Sequence, residues 1–331
     1  MKAGLLFAGQ GAQYPGMGKS LYDLSPAARE VFDAAGPDIK GWCFEGSKED
    51  LRQTHVTQPT VFAVAMAAHA ALIEALGDGG SDGGGIEIAG LAGFSLGEYA
   101  ALTAAGCIRG LGEALDIIRK RGEYMAEAGR GEDGGQRGGM AALYGERQAI
   151  ADCIDAVREG DVLEATNFNS PLQTTVAGDL AALDRLRKRA RGTEGLKFVP
   201  LSVSAAFHSS MMKPASEKLA LALEALDLAE PKTPVYANLT GRDIMEGRPA
   251  GVGAAEWLRG RLTLQSMNPV RWQETLERMS GDGIGLFIEL GPGKTLSGFV
   301  GKTLPGAAAL NVEDAESLGA ALAEIRGLGG C

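Results

Sequence analysis

Apolar residues along this chain fall into short blocks and long ones, and their order predicts the architecture. Ala3–Phe7, Ile86–Leu91 and Leu286–Leu290 are apolar runs of strand length, whereas Val61–Leu76, Leu96–Ala105 and Leu111–Ala128 are long enough for helices. Alternation of the two kinds from Ala3 to about Gly129 implies an α/β layer structure with parallel strands. Gly129–Gly139 is polar and Gly-rich, a segment suited to crossing between units. Beyond it the pattern reads as a strand over Met140–Tyr144, a helix over Glu146–Val157, strands over Val162–Asn167 and Gln173–Ala177, a helix over Leu180–Arg191 and a strand over Lys197–Val203. That order, βαββαβ, is the ferredoxin-like unit. Helix and strand segments then resume. The expected organisation is a large α/β domain with a parallel sheet, built from residues 1–129 and 205–331, and a small ferredoxin-like domain inserted over 137–204. The active site is expected in the cleft beside the small domain.

Gly93-Phe94-Ser95-Leu96-Gly97 joins the strand at Ile86–Leu91 to the helix at Leu96–Ala105 and reads as a nucleophile elbow, which makes the large domain α/β-hydrolase-like. Glycine on both sides lets neighbouring backbone pass closely while the middle residue takes a strained conformation, so Ser95 is expected exposed on the turn tip. The helix opening at Leu96 aims free N–H groups and its positive end at the oxyanion that forms when Ser95 attacks a carbonyl. A chain with 49 Gly produces such a motif by chance, and the strand before it and helix after it give it weight.

Acyl chemistry at Ser95 needs a base, and the chain offers three histidines. His69 lies inside an Ala-rich apolar helix and reads as a packed or edge residue; His55 sits in a polar stretch before Pro59 and reads as a surface turn. His208 follows a strand-like run and the small-residue loop Ala205-Ala206-Phe207, where strand-end catalytic groups tend to lie. There it can take the Ser95 proton and return it to a leaving group.

On the helix Leu111–Ala128, the residues Leu111, Ala114, Leu115, Ile118, Gly122 and Met125 form one apolar stripe. Arg121 falls just off one edge and Arg119 a little further off the other, so geometry separates the two only slightly, while Lys120 points to solvent. An interior guanidinium needs an acceptor, which is either a protein carboxylate in an ion pair or a carboxylate on the substrate.

Several segments together resemble the malonyl-CoA:acyl carrier protein transacylase family. Phe7-Ala8-Gly9-Gln10-Gly11-Ala12-Gln13 is similar to its Gln-Gly loop, and Gly93-Phe94-Ser95-Leu96-Gly97-Glu98-Tyr99 to its elbow. Arg121-Gly122, Asn167–Gly178, Ala206-Phe207-His208-Ser209, Gln265–Trp272 and Glu289-Leu290-Gly291-Pro292-Gly293 follow in the family's order, so the resemblance spans nearly the whole chain. It implies ping-pong transfer of a malonyl group from malonyl-CoA to the phosphopantetheine thiol of acyl carrier protein, with no bound cofactor or metal. In that reaction Ser95 is the nucleophile and His208 the base, and Arg121 binds the substrate carboxylate. The backbone N–H groups of Gln10 and Leu96 form the oxyanion hole, and the main-chain carbonyl of Gln265 orients His208. On that reading the Gln265 side chain is largely dispensable. Asn167 either lines the cleft or serves a structural turn, and Gly291-Pro292-Gly293 is read as a strand-end turn. Phe207 crowds an α-substituent on the acyl group, as does Leu96. Two departures stand out: Phe94 replaces the histidine usual before the nucleophile, and Ala8 replaces the usual proline before Gly9.

Composition narrows the rest. A net charge of −10 argues against nucleic acid or an anionic membrane as a main partner. The basic cluster Arg185, Arg187, Lys188, Arg189 and Arg191 is either a solvated helix face or a patch for an acidic carrier or CoA phosphate. The long apolar runs are interrupted by His69, Glu98 and small residues, so no membrane span is expected. No signal-peptide pattern opens the chain, and cytoplasm is the default expectation. Cys43, Cys107, Cys153 and Cys331 lack metal-ligand or redox spacing and read as reduced thiols, Cys331 in the tail. The alternatives are a transacylase loading a polyketide synthase, a serine hydrolase, and a scaffold that has lost catalysis. An interior Arg121 speaks against a lipid esterase.

Overall fold

A computed structural model describes residues 1–77, 85–131 and 133–329 and shows an α/β fold on two separate sheets. The strands are β1 (Lys2–Phe7), β2 (Glu87–Gly93), β3 (Gly138–Tyr144), β4 (Leu163–Ser170), β5 (Gln173–Asp179), β6 (Lys197–Pro200), β7 (Val235–Tyr236), β8 (Leu286–Leu290) and β9 (Ala308–Val312). One sheet has the order β7-β2-β1-β8-β9 with every neighbour parallel. The other has the order β4-β5-β3-β6 with every neighbour antiparallel. β1 and β8 are buried almost throughout, as parallel strands covered on both faces must be, and this is why they appear in the sequence as largely apolar runs, interrupted in β8 by the buried Glu289.

Parallel pairing has a direct consequence for the site. β1, β2, β7 and β8 end on the same side of the sheet, at Phe7, Gly93, Tyr236 and Leu290. The loops that leave those ends carry Gln10, Ser95, Asn238 and Gly291-Pro292-Gly293 to one region, the usual position of ligands in such sheets. The antiparallel sheet is tied to this region by backbone bonds. Val270 N–H donates to Thr166 O at 2.9 Å and Phe168 N–H donates to Val270 O at 2.9 Å, so the segment between Gln265 and Trp272 runs alongside β4.

Several elements differ from the pattern read in the sequence. Among the described residues between Ala3 and Gly129, β1 and β2 are the only strands, and the others are mainly helical. The apolar helix spans Thr54–Leu76, starting before Val61 and running through Pro59, which forfeits one backbone bond but not the helix. His55 therefore sits exposed on its first turn, not in a loop. By length and composition this helix is long and apolar enough to cross a membrane, contrary to the expectation from its interruptions, yet 72% of its apolar window is buried inside the protein. β6 stops at Pro200, short of Val203, because the Val203 N–H turns back onto Leu201 O. In the basic cluster, Arg185 pairs with Asp161 and Glu159, and Arg187 and Lys188 both pair with Asp184, which leaves the helix Leu180–Arg191 with much of its charge met locally. Cys43, Cys107 and Cys153 are buried free thiols, and Cys331 lies outside the described residues.

Two glycines test the backbone logic from opposite sides. A Cβ on Gly93 would lie 1.9 Å from the carbonyl oxygen of Gly97, with backbone on both sides of the clash. Gly93→Ala should cost at least ~3 kcal/mol. Gly260 is exposed inside the helix Ala254–Gln265, and a Cβ there meets nothing within 4 Å. Gly260→Ala should therefore add up to ~1 kcal/mol. Urea midpoints of both variants against the parent check the pair, and a neutral Gly93→Ala would mean that the turn can open.

Candidate active site

β2 ends at Gly93 and a helix begins at Gly97, so the chain reverses within the motif itself. Ser95 sits at φ 54°, in the left-handed region that costs a non-glycine residue ~1–3 kcal/mol. The turn is held in that state from two directions. Gly97 packs so close to β1 that a Cβ would stand 2.2 Å from Phe7 O. Asn238, just past β7, accepts from the Ser95 N–H at 2.8 Å and donates through Nδ2 to Gly93 O at 2.7 Å. Ser95 is half-buried, not exposed on a tip as the motif alone suggested, because His208 and Arg121 close over its hydroxyl.

His208 also has a positive φ, 62°. Its Nδ1 faces Gln265 O at 3.0 Å and Asn268 O at 3.1 Å. Carbonyls only accept, so Nδ1 carries the proton and donates; Nε2 is then the bare nitrogen, and it accepts the Ser95 O–H at 2.7 Å. Burial, reinforced by the Arg121 charge, lowers the imidazole pKa to about 4 against the pull of the two carbonyls. The imidazole is thus neutral at pH 7, and its Nε2 can take a proton. Of the other histidines, His55 is exposed and His69 is half-buried beside the Phe7 ring at 5.8 Å, and neither reaches Ser95.

Arg121 is 1% exposed, deeper than its place at the edge of the apolar stripe implied, because side chains from two other helices cover that flank. Nη1 donates to Gln58 Oε1 at 2.8 Å, and Nη2 donates to Ser95 Oγ at 3.1 Å and to Gln265 Oε1 at 3.1 Å. The guanidinium lies 5.5 Å from the centre of the Tyr99 ring, and its Nε has no partner among the described residues. The fork therefore meets amide and hydroxyl oxygens and, among the described residues, no carboxylate at salt-bridge distance.

A cleft of about 210 Å³ opens at these groups. Gln10 and Leu96 line it, and among the described residues neither backbone N–H is engaged in a hydrogen bond. Asn167 lines it from β4, where its Oδ1 accepts from Thr166 Oγ1 at 3.1 Å, and Phe207 lines it beside His208. Phe94 also lines it, with its ring 5.3 Å from Trp272 and 6.2 Å from Phe299. Gly291-Pro292-Gly293 is a turn at the end of β8, with Gly291 and Gly293 at positive φ. A hydroxyl bonded to a neutral imidazole, two free N–H groups and an unpaired cation together suit acyl transfer through a serine ester to an acyl group that carries negative charge.

The acyl transferase domain family matches residues 5–327. The chain is also 34% identical, over 98% of its own length and 98% of the relative's, to the malonyl CoA-acyl carrier protein transacylase of Bacillus subtilis strain 168. The chain belongs to the malonyl-CoA–acyl carrier protein transacylase family. Among solved structures, the transacylase from Clostridium perfringens superposes with a TM-score of 0.87 at 34% identity, covering 99% of this chain and 98% of that one. A malonyl-transacylase in complex with its type II polyketide acyl-carrier protein superposes with a TM-score of 0.86 at 32% identity, covering 98% and 100%.

Three buried polar residues of this transacylase-family site escaped sequence reading: Gln58, Glu98 and Asn238. Glu98 left one signal, a carboxylate set in the apolar run of the helix after Ser95, and Asn238 left another, an amide just past a sheet strand. The Gln265 side chain corrects an expectation. Besides using its carbonyl on His208, Gln265 donates through Nε2 to Ser95 O at 2.7 Å and Glu98 Oε2 at 2.9 Å while Oε1 accepts from Arg121. Its removal strands a buried cation and a buried carboxylate together. Gln265→Ala should slow acylation of Ser95 by at least ~10-fold, followed as mass gain over time with a malonyl thioester. A variant as fast as the parent would show the side chain to be dispensable after all.

Proposed function

We propose that this protein moves a malonyl group from malonyl-CoA to the phosphopantetheine thiol of acyl carrier protein through an ester on Ser95. The observation that carries the reading is the buried Arg121 fork, 3.1 Å from the Ser95 oxygen and, among the described residues, with no carboxylate at salt-bridge distance. A serine hydrolase acting on neutral esters has no use for such a cation, whereas a malonyl thioester brings the missing carboxylate with it. One similar transacylase is bound to a type II polyketide carrier protein, and the carrier here is assigned to fatty-acid synthesis, with a polyketide carrier as the alternative.

In the first half-reaction the Ser95 oxygen attacks the thioester carbonyl as its proton passes to His208 Nε2, at the end of the 2.7 Å bond already in place. The oxyanion is met by the Gln10 and Leu96 N–H groups at the positive end of the helix that follows the elbow. The C–S bond breaks, His208 protonates the CoA sulfur, and malonyl stays on Ser95. In the second half-reaction the carrier thiol gives its proton to His208, its sulfur attacks the ester, and Ser95 Oγ leaves with that proton. The cleft walls keep water from the ester. Phe207 and Leu96 crowd a substituent on the α-carbon, worth ~1–3 kcal/mol against a methyl group.

The same reading divides the chain. Residues 1–129 and 205–331 form an α/β-hydrolase-like catalytic domain, and residues 137–204 form an inserted ferredoxin-like domain, in keeping with the βαββαβ order and the β4-β5-β3-β6 sheet. Asn167 reaches the cleft from the inserted domain, and Phe94 gives the cleft an apolar wall at the position where the family resemblance implies histidine.

Arg121→Ala separates this function from its rival. A hydrogen-bonded charged contact is worth ~1.5–3 kcal/mol, so malonyl transfer should fall by on the order of 10- to 100-fold. Acetyl transfer has no carboxylate to lose and should hold or rise. Both acyl-CoAs are assayed with parent and variant under the same conditions, and equal losses would make Arg121 a structural cation and remove the basis for malonyl.

A further inference from the structure

Glu98 is a buried acid that the reaction as written does not use. It lies in the first turn of the helix that follows Ser95 and is 1% exposed. Its Oε2 accepts from Gln265 Nε2 at 2.9 Å, and the backbone N–H of Asn238 also supports the carboxylate. The charged and titratable groups that bear on it are Arg121 from the helix Leu111–Ala128, Arg261 from the helix Ala254–Gln265 and Tyr99 from its own helix. The Gln265 amide is thereby fully committed. Its NH₂ group serves Glu98 and the Ser95 carbonyl, and its oxygen alone is left for Arg121 Nη2.

We propose that ionised Glu98 is a positioning residue, which by accepting from Gln265 Nε2 fixes the amide so that Oε1 holds the Arg121 fork ready for the substrate carboxylate. The proposal rests on the reading of Arg121 given above. Both oxygens of an ionised carboxylate only accept, and a charged acceptor holds Gln265 Nε2 more strongly than a neutral one. A protonated or amidated side chain weakens that hold and, with its hydrogen-bearing atom toward Gln265, sets hydrogens against Nε2. Turning the Gln265 amide over relieves that contact but points NH₂ at the Arg121 cation, and the fork is displaced. His208 keeps its contact when the amide turns, since it uses the backbone carbonyl of Gln265, and Ser95 loses a bond to its main-chain oxygen but none to its hydroxyl.

Burial pushes the Glu98 carboxyl up to about 7. Malonyl transfer should therefore rise as pH increases through neutrality, while His208, lowered to about 4, stays neutral over the same range. Acetyl transfer, which makes no use of the fork, should be flat there.

The experiment measures kcat/KM for malonyl-CoA and acetyl-CoA between about pH 5 and 9 with the parent, Glu98→Gln and Glu98→Asp, alongside thermal midpoints. Glu98→Gln should lower malonyl kcat/KM by ~10-fold, mainly through KM, leave acetyl within ~3-fold, and abolish the rise near neutrality. Glu98→Asp keeps the charge and should recover the rise and part of the malonyl preference. Equal losses for both acyl groups at an unchanged midpoint, or a parent malonyl profile flat through neutrality, would overturn the proposal. Should Glu98→Gln not fold, the parent profile and Glu98→Asp decide it. Failure of the functional reading looks different: the parent itself would show no preference for malonyl, and Arg121→Ala would shift none.

Discussion

A guanidinium kept in the protein interior with, among the described residues, no carboxylate at salt-bridge distance is the constraint around which this site is arranged. Burying Arg121 is costly unless its donors are met, and the fold meets its two Nη groups with neutral oxygens from Gln58, Gln265 and Ser95. Neutral partners satisfy hydrogen bonds while Glu98 bears on the cation from across the Gln265 amide, and on the proposed reading a substrate carboxylate completes the pairing. The same charge adds to burial in holding His208 neutral, so on that reading one buried cation serves both substrate recognition and the readiness of the base.

Placing that cation beside a nucleophile takes contributions from distant parts of the chain. The parallel sheet delivers the ends of β1, β2, β7 and β8 to one side, and with them the Gln10 loop, Ser95 and Asn238. His208 comes instead from the loop after β6 of the antiparallel sheet, and it is locked by the segment after Gln265, which hydrogen-bonds to β4. Both reacting residues are held at positive φ, which the surrounding bonds must over-determine. Asn238 does this for Ser95, and the Gln265 and Asn268 carbonyls do it for the His208 ring.

The legibility of the chain followed the range of the interactions. Ser95 announced itself because strand, turn and helix are adjacent in sequence and the glycines that permit the turn lie inside the motif. His208 was found because only three histidines compete and two sit in contexts of their own. The helix Leu111–Ala128 matched its pattern at both ends, being periodic and long. What stayed hidden depends on contacts across the chain. The burial of Ser95 and Arg121 comes from elements far away in sequence; Gln58 is a polar residue whose neighbours in sequence give no hint of the site, and Asn238 shows only its place just past a strand. The Gln265 side chain stays hidden for the same reason: a resemblance assigns its carbonyl, but only the packed site shows Ser95, Glu98 and Arg121 converging on its amide. The helix through Pro59 began earlier than expected because burial outweighs one missing backbone bond.

The account stands or falls on where the acyl group rests between the two half-reactions. Incubation with malonyl-CoA in the absence of carrier, followed by intact mass and peptide mapping, should show one malonyl group on the peptide containing Ser95 and none on Ser95→Ala, which should fold as the parent does. A malonyl adduct on another residue, or an adduct of unchanged yield on Ser95→Ala, would contradict it.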